Sequence, residues 1–153
     1  MSLSTAQKRL LQQNIKHLKP NFHQFTLQFH TLANKHSLHM TLPSQESINR
    51  RSYLLFCALN KVVMHLDDLK QVTPFIEYLA NNLSFLNVTS QDIDNLTNAF
   101  MKTVESMQEP MSEQLKDAWQ LATLLFANIV KCYLFSYSNV IPLQDNFAVR
   151  RTS

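Results

Sequence analysis

Apolar positions recur at intervals of three and four along most of this chain, and the runs they form are separated by prolines and small polar residues. That interval places side chains on one face of an α-helix, and no stretch alternates as a half-buried strand does. The first helix is predicted to start at Ser4, with Gln7 three places on in a capping-box arrangement, and to turn Leu10, Leu11, Ile15 and Leu18 inward. Pro20 breaks or redirects it, and a second helix carries Phe22, Phe25, Phe29 and Leu32. The pattern lapses from about residue 36 to 44. The helix after the lapse is the most apolar, with Ile48, Tyr53, Leu54, Leu55, Phe56, Leu59, Val62, Val63 and Leu66, and is expected to meet neighbours on most sides. Asp67 and Asp68 end it. Thr73 reads as a cap, with Pro74 in the first turn of a short helix holding Phe75, Ile76, Leu79 and Leu83. Thr89 with Asp92 opens the next helix, which turns Ile93, Leu96, Phe100, Val104 and Met107 inward. Ser112, just after Pro110, opens the last and longest, with a stripe of Leu115, Ala118, Ala122, Leu125, Ile129 and Cys132. The prediction is an all-α single domain of six to seven helices over residues 1–138, with a mobile tail over residues 139–153.

Composition changes this picture in one respect above all. Glycine is absent from all 153 residues. Helix ends must therefore be made by asparagine, polar caps and proline, and neither a Rossmann fingerprint nor a P-loop can form. The net charge of +3 is spread along the chain, with arginine doublets only at Arg50-Arg51 and Arg150-Arg151. A nucleic-acid footprint clusters basic residues and interleaves aromatics, so no nucleic-acid partner is expected. Cys57 and Cys132 lie in apolar helical runs and read as buried free thiols. No run of about 18 uninterrupted apolar residues is present, so no membrane span is expected. The first residues lead straight into an amphipathic stretch, unlike a signal peptide, and a cytoplasmic location is the expectation.

Several segments, in order, resemble the bacterial globins and the globin module of flavohaemoglobins. Leu3-Ser4-Thr5-Ala6-Gln7 is similar to the start of that family's first helix, and Phe29-His30 stands where those proteins usually have Phe-Tyr. The stretch from Arg50 to Asp68 is similar to their long distal helix and its exit. Leu79-Ala80-Asn81-Asn82-Leu83, with Val88 five places later, matches a Leu-Ala-x-x-His segment followed by valine, and Ala118-Trp119 repeats an Ala-Trp pair of the last helix. The resemblance covers residues 3 to 135 and implies a globin-like fold.

The departures from that family fall on its chemistry. Globin iron is held by a proximal histidine, and Leu83 occupies that place here. The phenylalanine that wedges the porphyrin is missing near Leu42 and Pro43, Arg50 takes the distal position, and His30 replaces the distal tyrosine. The resemblance thus implies a haem-free protein with no cofactor, whose remodelled pocket involves Phe29, His30, Arg50, Leu54, Leu79, Leu83, Val88, Ile93 and Phe100, with Phe25 beside them. Either side chains collapse into that space, the preferred expectation, or it keeps an apolar guest, because a large void would not persist. His30 reads first as a core histidine bonded to a neighbour. It could instead join Arg50 in holding a carboxylate, or ligate iron from the distal side.

His36 and His39 form a His-x-x-His pair near Glu46, too few ligands for a metal site, and exposed loop histidines are the preferred reading. No nucleophile has an evident base, so no enzymatic activity is expected. The leading expectation is a sensor or interaction protein that holds a small hydrophobic or fatty-acid-like ligand and pairs as a homodimer through its last two helices, with Tyr133, Phe135 and Tyr137 in the contact. The alternatives are a divergent haem globin that binds O2 or NO through a substitute ligand, and a purely structural protein. No reductase segment follows the last helix, so a self-contained NO dioxygenase is not expected.

Overall fold

Helix α1 (Thr5–Leu18) starts where Ser4 Oγ accepts from the Gln7 backbone N–H at 3.1 Å and Gln7 Oε1 accepts from the Ser4 N–H at 2.9 Å. The structure, a computed structural model, describes residues 3–136 apart from 51, 67, 86 and 109; the side chains at 54, 55, 69, 79, 82–85 and 136 are also outside the description. The predicted tail over 139–153 lies outside the described residues. Pro20 falls in a single 3-10 turn (Lys19–Asn21), where a missing N–H does no harm, and the chain continues directly into α2 (Phe22–Ala33).

After the connection over 34–44, the predicted long apolar helix is two helices, α3 (Gln45–Arg50) and α4 (Ser52–Met64). Helix α5 (Leu69–Phe85) begins upstream of the Thr73-Pro74 start read from the sequence, and Pro74 sits inside it. Val72 and Ile76 explain the difference, since both are completely buried and their burial offsets the backbone hydrogen bond that Pro74 cannot make. Helix α6 (Ser90–Met107) is opened by the Thr89–Asp92 capping box and α7 (Glu113–Lys131) by Ser112, whose hydroxyl accepts from the Leu115 N–H at 3.2 Å. A single π turn (Cys132–Ser136) follows. No strand occurs among the described residues, and the chain is an all-α domain.

Helix α6 packs on α2 and α7, while α1 packs on α7 and α4. Buried side chains form two clusters. One joins α1, α2, α4, α6 and α7 around Leu11, Ile15, Phe25, Val63, Val104 and Trp119. The other joins the 38–42 connection, α5, α6, the end of α7 and the π turn around Met40, Val72, Ile76, Val88 and Val130. Phe126 touches both.

Two expectations about the surface are corrected. Helix α4 is not enclosed: Tyr53 is 68% exposed, and Cys57 and Met64 lie on the same outward side, because α4 packs mainly on α1 and α2. Both cysteines are free and exposed, Cys132 standing at the first position of the π turn. The run Glu113–Phe135 is long and apolar enough to cross a membrane by length and composition, although its apolar stretch is interrupted. In this fold it spends Ala118, Trp119, Ala122, Ala127 and Val130 on contacts inside the bundle.

Candidate functional site

The seam between the two clusters is where the bundle leaves room. A cavity of about 310 Å³ lies there, lined by Phe29 of α2, Ala58, Leu59, Val62 and Val63 of α4, Leu66, and Phe75 of α5. Ile93, Leu96, Thr97 and Phe100 of α6 and Trp119, Ala122, Thr123, Phe126, Ala127 and Val130 of α7 complete the wall. Small side chains at Ala58, Ala122 and Ala127 hold neighbouring helices close while leaving this volume unfilled by the described side chains. Whether the side chains expected to collapse into the space do so turns on Leu54, Leu79 and Leu83, which lie outside the described side chains.

One side of the wall is an aromatic ladder. Phe100 stands edge-on to Phe25 at 5.4 Å, Phe29 at 6.4 Å and Trp119 at 5.7 Å, and Phe25 stacks on Phe22 at 5.1 Å. Edge-to-face pairs of this kind contribute about 0.5–1.5 kcal/mol each beyond their burial, which keeps the wall rigid.

The polar atoms at the wall are already engaged. Thr97 Oγ1 donates to the Ile93 carbonyl at 2.8 Å and Thr123 Oγ1 to the Trp119 carbonyl at 2.9 Å. Trp119 Nε1 donates to Asn14 Oδ1 at 2.8 Å. Asn14 and Gln108 also bond to each other through both amide groups, so the indole closes a polar clamp between α1, α6 and α7.

Of the residues that the sequence suggested for the pocket, Phe29, Ile93 and Phe100 meet at this cavity. Phe25 stands one ring behind. The side chains of Leu54, Leu79 and Leu83 lie outside the described residues. Val88 is buried in the second cluster and is not part of the wall. His30 is buried away from the cavity, with both ring nitrogens committed: Nε2 donates to the Pro43 carbonyl at 2.8 Å, and Asn34 Nδ2 donates to Nδ1 at 3.2 Å. A carbonyl only accepts, so the proton sits on Nε2. Arg50 ends α3 with its side chain 73% exposed and 3.9 Å from Glu46, which also corrects its assignment to the pocket. The anion-holding pair of His30 and Arg50 is thus not assembled. Tyr133 and Phe135 pack inward against the second cluster, and Tyr137 is outside the described residues.

Sequence reasoning missed most of α7's share of the wall, from Trp119 to Val130. Aliphatic and aromatic residues at helical spacing look the same whether they fill a core or border a cavity. The small residues at 118, 122 and 127 are the one signal that points to space beside that helix.

The described part of the wall offers a haem neither an axial ligand nor a basic partner. None of the described lining residues is a histidine, cysteine, methionine or tyrosine able to ligate iron, and none is basic to meet a propionate. His39 stands apart, with Nδ1 3.6 Å from Asp92, and no group of three metal-binding side chains occurs among the described residues. The fold and site define an all-α domain with an apolar cavity about half open to solvent. No protein-family model matches the chain, and no curated protein matches it by sequence.

Proposed function

We propose that this chain is a haem-free, globin-like sensor or interaction protein whose cavity holds a small apolar molecule. The observation that carries the reading is the cavity of about 310 Å³ with an apolar wall and no axial ligand among its described lining residues. A guest that fits would cover apolar side chains of α2, α4, α5, α6 and α7 at once, so its occupancy would be felt across the bundle, as a sensor requires. The resemblance to bacterial globins, with Leu83 in the proximal place, supports the same reading.

The test is spectroscopic. The purified protein is expected to show no Soret band at one haem per chain and to bind added hemin only weakly. Leu83→His restores a possible axial ligand and is expected to raise hemin affinity measurably. A sharp six-coordinate spectrum of the unaltered protein at one haem per chain would overturn the haem-free reading.

A further inference from the structure

We propose that the cavity selects an un-ionised, largely hydrocarbon guest of about two-ring size and discriminates against carboxylates such as fatty acids. This rests on the reading of the cavity as a ligand site and adds the chemistry that its wall selects. The donors at the wall are spent: the Thr97 and Thr123 hydroxyls on carbonyls of their own helices, and the Trp119 indole N–H on Asn14. Among the described lining residues no N–H or O–H remains for a guest, and no side chain is charged. The cavity is about half open to solvent, and a carboxylate only accepts hydrogen bonds, so drawn in past the mouth against this wall it would be a charge without a partner. The threonine oxygens keep lone pairs, so the polar group that the wall tolerates is a donor such as an alcohol. The cation and imidazole that the sequence suggested for the pocket offer no remedy, since Arg50 faces solvent beside Glu46 and His30 has committed both nitrogens. Size sets the other limit: the cavity of about 310 Å³ is about twice the apolar cavity of roughly 150 Å³ that admits one benzene.

Trp119 is the single tryptophan of the chain and lines the cavity, so its emission reports occupancy directly. The experiment titrates the full chain at pH 7.5 with 1-octanol and, separately, with octanoate, which carry one hydrocarbon tail under two head groups. The expected result is a saturable change in Trp119 emission with 1-octanol and binding of octanoate about 100-fold weaker or worse. Ala58→Phe places a ring in the cavity and is expected to abolish the 1-octanol response while the helical circular dichroism persists. Leu96→Phe serves the same purpose should the first variant not fold. Octanoate binding as tightly as 1-octanol, with both lost in the filling variant, would overturn the selectivity and leave the cavity a ligand site. No saturable response to either compound would overturn the ligand-site reading and the selectivity with it. A 1-octanol response that survives filling of the cavity has the same consequence, because the guest then sits elsewhere.

Discussion

The carboxylate of Asp92 accepts backbone hydrogen bonds from His39 at 2.8 Å, Met40 at 2.9 Å and Thr89 at 3.1 Å, and is wholly buried. One side chain thereby caps α6 and ties down the connection between α2 and α3. Burial by itself pushes the carboxyl up. The backbone N–H groups of His39, Thr89 and Met40, with the His39 ring close by, outweigh it and hold the group below its ordinary value. A pKa lower in the folded than in the unfolded chain stabilises the fold above the ordinary aspartate value of about 3.9, and that contribution is lost as pH falls through the folded value. Asp92→Asn sets an amide N–H against a backbone donor and is expected to cost about 1–3 kcal/mol at pH 7. Urea unfolding followed from pH 7 down to pH 2 checks both parts, because the gap between variant and parent should narrow as the acid limb is reached.

At the scale of the helix, the lack of glycine explains how the elements end. Ser4, Thr89 and Ser112 supply the caps of α1, α6 and α7, each read correctly from a hydroxyl residue ahead of an apolar run. Beyond α5, Asn87 takes the left-handed conformation at φ 60°, the position where most chains would place glycine. Asparagine tolerates that region through its short polar side chain, and a β-branched residue does not. Asn87→Gly is expected to fold with stability within about 1 kcal/mol of the parent, whereas Asn87→Val loses about 1–2 kcal/mol. Thermal denaturation of the two variants side by side decides the matter. Equal midpoints for both would show that the turn does not depend on its backbone angle.

At the scale of the whole molecule, the Asn14–Gln108–Trp119 clamp fastens three helices whose members are far apart in sequence. Asn14→Leu leaves the buried Trp119 N–H and the half-buried Gln108 amide without their partner and is expected to cost about 1–3 kcal/mol. Trp119 emission during denaturation measures the loss. Association is a separate matter. Leu124 is 46% exposed on α7, and Glu113–Phe135 is apolar for a helix that turns much of its surface outward. A dimer mass is expected in sedimentation at tens of micromolar, with Leu124→Lys shifting the balance to monomer. A monomer mass for the parent would remove the dimer from consideration.

Local physics was legible along the chain. Periodicity predicted the helical class, hydroxyl residues marked the starts of α1, α6 and α7, and the missing glycine pointed to asparagine and polar caps at the helix ends. These features depend on neighbours within about one turn of helix, so the order of residues alone decides them. The start of α5 was misread because Pro74 is a strong local signal that long-range burial of Val72 and Ile76 overrides. The site was legible only in part. Phe29, Ile93 and Phe100 were placed together, yet His30 turned to Pro43 and Asn34, and Arg50 turned to solvent. Whether an apolar stripe closes on itself or leaves about 310 Å³ open is decided by how close helices from distant parts of the chain approach, and that distance belongs to the packed structure.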